Sequence, residues 1–197
     1  ARYNREDYVL ANKLSEWYFK AEEDILPLFE KQLELCGVEY FDYYLVHNLT
    51  EKLYDRCERF NSFEFVQKMK EEGKIKHLGF SYHDNAEILE KILIEHPEME
   101  FVQIQLNYLD WDDANIQSRL CYEVCMKYGK PVIVMEPVKG GTLAIVPEEA
   151  EKLMKEYAPD ASVASWAVRF AASQPGVMMV LSGMSDTAQL EDNTSYM

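Results

Sequence analysis

The chain has 197 residues, 48% of them apolar and 28% charged, which places it with folded domains of medium size rather than with disordered or fibrous chains. Its 35 acidic residues against 20 basic ones leave a formal net charge of −15, which excludes nucleic acid and anionic membrane as partners, since both need a basic footprint. Residues 1–10 hold no signal-peptide core, and nowhere do about 18 apolar residues run together, so no stretch reads as a membrane span.

The four cysteines, Cys36, Cys57, Cys121 and Cys125, include no C-x-x-C pair. Cys121 and Cys125 lie one helical turn apart and read as buried helix thiols rather than a metal site; no metal is expected. Unpaired thiols of this kind suit a reducing, cytoplasmic location.

In chain order, Tyr8 to Lys13 reads as a short buried strand. Glu22 to Cys36 carries Ile25, Leu26, Phe29 and Leu33 at helical spacing, with acidic residues in its first turn and Gly37 just past its end. The aromatic and β-branched run Tyr40-Phe-Asp-Tyr-Tyr-Leu-Val-His47 predicts a strand buried on both faces, ending at the histidine. A helix over 61–72 follows, with Asn61 and Glu64 at capping-box spacing and Gly73 as its stop. Lys76 to Phe80 is a strand ending at Ser81. Asp84 and Glu87 form a second capping-box pair for a helix reaching about Glu95, which Pro97 terminates. Phe101 to Gln105 is a strand, 112–128 a helix stopped by Gly129, and Pro131 to Met135 a strand closed by Glu136. Helices over 147–157 and 162–173, a strand over 177–181 and a helix from Asp186 complete the pattern.

Six strand–helix units in one uninterrupted domain imply an α/β fold with a parallel sheet and right-handed crossovers. An open doubly wound sheet and a (β/α)8 TIM barrel both fit the alternation. Lys13, His47, Ser81, Gln105, Glu136 and Ser182 each close a strand, and all are polar. One polar strand end means little; six together suit the C-terminal mouth of a barrel, where barrel enzymes keep their chemistry. Ser182-Gly183-Met184-Ser185 leads into a helix and has the small residues that let backbone approach an anion, though such residues also simply start helices. Gly140-Gly141 is a tight turn or a wall of the same phosphate groove.

These residues resemble the aldo-keto reductases. The resemblance is carried by Ala11 to Leu14, Tyr40 to His47, Glu72 to Ser81, Gln103 to Tyr108, Met135 to Val138, Leu181 to Ser185 and Gln189 to Asn193, in that order over essentially the whole chain. It is strongest to the branch often carrying a C-terminal ferredoxin-like extension. It implies a (β/α)8 barrel seen from its third to its eighth strand, binding NADP(H), with NAD(H) not excluded, and reducing a small aldehyde or ketone. Lys13 matches the lysine that assists a catalytic tyrosine, and His47 the histidine near the carbonyl oxygen; a nearby ammonium pulls a tyrosine's pKa down. The tyrosine itself and its aspartate are expected before Ala1, since none of the 13 tyrosines occupies the matching place. Ser81 and Gln105 match the residues that hold the nicotinamide carboxamide. Met135 stands where an aromatic ring commonly stacks, and Tyr82 where asparagine is common. Ser182, Gly183, Met184 and Ser185 fall at the phosphate-binding loop, Gln189 replaces a frequent arginine, and Asp192 and Asn193 match adenine contacts. Trp17 and Tyr18 are candidates for the substrate-pocket wall. Asp110 to Asp113 reads as a solvated turn. Two other readings use the same residues. One is a nicotinamide-cofactor-binding regulatory or redox-sensing module without the acid. The other is a barrel isomerase or hydrolase with His47 and Glu136, which leaves Lys13 and the late loop without a role. Oligomeric state leaves no mark on the sequence.

Overall fold

The computed structural model describes residues 3–196, in two compact units divided between Gln103 and Ile104. The first is built on three parallel strands, β1 (Ala11–Leu14), β2 (Phe41–Leu49) and β3 (Ile75–Tyr82). Helices α1 (Ile25–Cys36), α2 (Glu51–Arg59), α3 (Ser62–Glu71) and α4 (Ala86–Glu95) connect or follow them. Strand β4 (Phe101–Gln105) spans the division.

The aromatic content of β2 follows from burial on both faces. Phe29 of α1 is fully buried and packs edge-on against Phe41 and Tyr44, with centroids 5.8 and 5.1 Å away. Tyr43 meets His77 and Phe101. Tyr44 donates its hydroxyl to Gln32 Oε1 (2.6 Å), and Gln32 donates Nε2–H to the Lys13 carbonyl (3.0 Å), tying α1 to the strand that carries Lys13. Lys13, Leu45 and Gly79 form one row across the sheet. A Cβ at Gly79 would lie 2.5–2.6 Å from the Phe101 carbonyl and ring, so only glycine fits that row.

At the other end of β2, Asp42 is buried and accepts from Arg5 (2.6 Å), Lys76 (2.9 Å) and the Leu10 N–H (2.9 Å). The Arg5 guanidinium and the Lys76 ammonium each lie over the Tyr40 ring, 4.1 Å from its centroid. Burial alone would raise the Asp42 carboxyl, but its donors and the Arg5 charge hold it at about 2. A depressed folded-state value gives stability that is whole above the ordinary carboxylate pKa, about 4, and is lost as pH falls toward 2. Asp42→Asn should therefore lower the urea midpoint at neutral pH, with the gap narrowing below about pH 4 and closing only near pH 2. A gap that stays constant over that range would refute the assignment.

The second unit holds β5 (Val132–Met135) and β6 (Val177–Val180), which pair in parallel. Its helices are α5 (Ser118–Lys127), α6 (Glu148–Tyr157), α7 (Val163–Ala172) and α8 (Thr187–Ser195). Val132 and Val134 of β5, Ala167 and Ala171 of α7, and Cys121 and Cys125 of α5 are buried. Leu106 donates its N–H to the Met135 carbonyl (3.2 Å), and Leu181 to that of Val134 (2.9 Å).

Several elements differ from the sequence expectations. The first strand begins at Ala11; residues 8–10 remain half-exposed or exposed, and the Leu10 carbonyl is shared between the Asp42 and Tyr43 N–H groups (2.9 and 3.2 Å). The opening turn of the 22–36 helix is a 3-10 turn. Strand β2 runs past His47 to Leu49 through a bulge at which Asn48 takes φ 61, a conformation asparagine tolerates better than most residues. Helix α2 was not expected; the Thr50 hydroxyl caps it by accepting the Leu53 N–H. Asn61 forms no capping box, since it sits at φ 52 between α2 and α3 and donates its side-chain amide to Glu22 instead (2.8 Å). The cap of α4 is Asn85 rather than Asp84. Helix α5 starts six residues later than expected, because Asp113 Oδ1 holds the Asn115 and Ile116 N–H groups in a turn. No helix among the described residues is long and apolar enough to cross a membrane.

Candidate active site

In the first unit, β1 and β2 bring Lys13, Ser15 and His47 together. Burial holds the Lys13 ammonium below the ordinary lysine range. Burial, followed by the charges of Lys13 and His83, pulls His47 down to about 4, so its imidazole is neutral at pH 7. His47 Nδ1 lies 2.5 Å from the Ser15 hydroxyl, and the Trp17 ring stands edge-on to the imidazole, 5.1 Å away at 84°. Trp17 and Tyr18 occupy the 3-10 turn after Ser15 and are 59% and 73% exposed, so Trp17 borders the histidine while Tyr18 faces outward.

The turn is anchored below. Glu16 is buried with its carboxylate 3.1 Å from Arg56 Nε, an ion pair whose angle falls short of a hydrogen bond. A second Arg56 nitrogen donates to the Phe19 carbonyl (2.9 Å). Ser81, fully buried at the end of β3, accepts the Asn48 N–H (2.8 Å) and so braces the bulge beside His47. The Tyr82 hydroxyl donates to the Asn85 carbonyl.

In the second unit, a groove of about 380 Å³ is lined by the turn after β5, the 181–185 loop and the start of α8. It gathers Glu136, Gly140, Gly141, Ser182, Gly183, Ser185, Gln189, Asp192 and Asn193; Met135 and Met184 do not line it. The turn needs left-handed backbone at Glu136 (φ 56), Lys139 (φ 49), Gly140 (φ 59) and Gly141 (φ 91), the last reachable essentially by glycine alone. The N–H groups of Ser182, Gly183 and Met184 have no partner among the described residues, and a Cβ on Gly183 would meet nothing within 4 Å. Bare backbone donors beside open space form a cradle for an anion. The first turn of α8 is already occupied: Asp186 caps it by accepting the Gln189 N–H, and Ser185 donates its N–H (2.8 Å) and hydroxyl (3.3 Å) to Gln189 Oε1. Asn193 donates to Ser182 Oγ (2.9 Å), and Asp192 accepts from Ser162 (2.6 Å). Among the described residues, the groove lining includes carboxylates and neutral amides but no cation.

Gln105 leads to a group that sequence reading missed. The 110–113 stretch is not a solvated turn throughout, because Asp110 is only 2% exposed. It accepts from Gln105 Nε2 (2.8 Å), Asn107 Nδ2 (2.8 Å) and the Lys139 ammonium. Asn107 also donates to the Glu136 carbonyl (3.1 Å), which clamps the turn of the groove. Its Oδ1 accepts the Leu109 and Asp110 N–H groups. The Asn107-Tyr-Leu-Asp110 spacing of such a turn was the available signal. Ser15 was missed because a lone serine after a strand has no distinguishing pattern.

The aldo/keto reductase family model matches residues 1–197. The chain belongs to the aldo/keto reductase family. An uncharacterized oxidoreductase, YqkF, of Bacillus subtilis is 25% identical over 96% of this chain and 68% of its own length. The solved thermostable aldo-keto reductase Tm1743, in complex with the inhibitor epalrestat, superposes with a TM-score of 0.78 at 20% identity, over 98% of this chain and 67% of that one. An aldo/keto reductase from Klebsiella pneumoniae in complex with NADP and acetate gives 0.72 at 19% identity, over 97% and 65%. The chain thus spans about two thirds of the length of these aldo/keto reductases. The likeness shows the fold, six parallel strands alternating with helices.

Proposed function

We propose that this chain belongs to an NADP(H)-dependent oxidoreductase that reduces a small aldehyde or ketone in the cytoplasm, its 197 residues acting as one catalytic domain. Family membership supports oxidoreductase chemistry, and the observation that carries the reading is His47, hydrogen-bonded at Nδ1 to Ser15, beside the half-buried Lys13. A neutral imidazole N–H stabilises the oxyanion that develops at a carbonyl oxygen. A lysine ammonium at position 13 favours the ionised form of a tyrosine acid contributed from outside these residues. The bound cofactor supplies the hydride.

The residues of the groove suit a dinucleotide. The free N–H groups of 182–184 and bare Gly183 suit its diphosphate, and Gly140-Gly141 forms the facing wall. Asp192 and Asn193, which line the groove, are assigned to adenosine. Gln105, in the second unit, retains its side-chain carbonyl oxygen for an amide and is assigned to the carboxamide. Met135 is assigned to the nicotinamide face, where a thioether packs without stacking.

Titration of tryptophan fluorescence with NADPH tests the reading: saturation is expected below roughly 1 mM, and none at that concentration would end it. Gln189→Arg should tighten NADPH by roughly tenfold, the worth of one charge-assisted contact, and leave NADH within about twofold. Equal change for both cofactors would remove the groove assignment.

A further inference from the structure

We propose that Ser15 is a positioning residue that sets the ring tautomer of His47, holding Nδ1 as an acceptor and leaving the ring hydrogen on Nε2. The proposal rests on the reading of His47 as the group that hydrogen-bonds the carbonyl oxygen. Leu14 pairs with Val46, so the sheet register places Ser15 and His47 side by side. Their Oγ and Nδ1 atoms are 2.5 Å apart, and the direction of that bond follows from what each group holds.

A hydroxyl brings one hydrogen, and a neutral imidazole one N–H and one bare nitrogen. Ser15 is 8% exposed, and its hydroxyl has no other partner among the described residues. If Nδ1 carried the hydrogen and donated it, the serine hydrogen would be buried without an acceptor, which costs more than an ordinary hydrogen bond returns. If Ser15 donates, both groups are satisfied. The ring hydrogen is then on Nε2, away from the serine. Burial and the charges of Lys13 and His83 keep the ring uncharged, so a doubly protonated ring is not a competitor at neutral pH.

The chain around Ser15 is built to hold it. Its carbonyl accepts the Tyr18 N–H (3.1 Å), opening the 16–18 turn, and Arg56 grips that turn at Glu16 and at the Phe19 carbonyl. Trp17, edge-on to His47 at 5.1 Å, borders the imidazole. A serine that served only to cap the turn would not need its hydroxyl on the ring.

Long-range ¹⁵N–¹H correlation on the labelled protein reads the tautomer directly, with the His47 signals assigned by their loss in His47→Gln. The Nε2–H pattern is expected; an Nδ1–H pattern overturns the proposal. Ser15→Ala should give mixed tautomer signals and lower kcat roughly tenfold, with KM for the carbonyl within about twofold, and Ser15→Thr should restore both. Unmixed Nε2–H signals with unchanged kcat in Ser15→Ala would also overturn it. A protein that reduces no carbonyl would defeat the functional reading, while the tautomer of the parent protein would still be decided by its spectrum. The same spectrum decides the case if Ser15→Ala fails to fold.

Discussion

His47→Ala is expected to lower kcat for carbonyl reduction by roughly 10²-fold to 10³-fold, the usual worth of one preorganised donor to a developing oxyanion. NADPH affinity should stay within about twofold, because the groove assigned to the dinucleotide is built from other residues. The size of the effect comes from preorganisation. Burial and neighbouring charge keep the imidazole neutral, Trp17 borders its edge, and the Ser15 hydroxyl meets Nδ1 at 2.5 Å, so little reorganisation is needed as charge develops. Alanine also strands the Ser15 hydroxyl, so thermal melting must be followed alongside the kinetics. A folded variant whose kcat falls less than about threefold would remove His47 from the mechanism.

Asp110→Ala is expected to destabilise the protein by about 3 kcal/mol, read as a shift of the urea midpoint at unchanged slope. The carboxylate is nearly inaccessible and serves three donors. Its loss leaves the Gln105 and Asn107 amides without their acceptor, while the partly exposed Lys139 can turn to water. Burial by itself would raise the Asp110 carboxyl, but Lys139, Asn107 and Gln105 bring it below the usual carboxylate range. Its contribution is therefore present above the ordinary carboxylate pKa and lost as pH falls through the folded value. The same substitution loosens the Asn107 clamp on Glu136, so NADPH affinity should weaken with it. Full stability together with unchanged affinity would show that this network holds nothing in place.

The two substitutions mark the limits of what a single sequence discloses. Gly37, Gly73 and Gly129 each stand at positive φ past the end of a helix, and a glycine after a periodic run announces such a stop without any tertiary information. Strand β2 was equally plain over residues 41–46, because burial on both faces demands an aromatic and apolar run that no amphipathic helix shows. Helix α2 was hidden because its nine residues include three acidic and three basic ones, and only Tyr54 and Cys57 are buried. Asn48 could not be read as a bulge, since pairing register depends on the neighbouring strand.

Alone, the sequence determined the alternation of strands and helices, polar residues within two positions of the strand ends at Lys13, His47, Ser81 and Gln105, and the small-residue loop at 182–185. These follow from local propensity and from which side chains must leave water, and both are written residue by residue. Only the tertiary structure decided that Asp110 is buried among donors, that Ser15 meets His47, and that Gly140-Gly141 and the late loop line one groove. Each of these joins residues distant along the chain or turns on the surroundings of a single side chain. Hydrogen bonds and charge shifts depend on distance in space, which folding supplies.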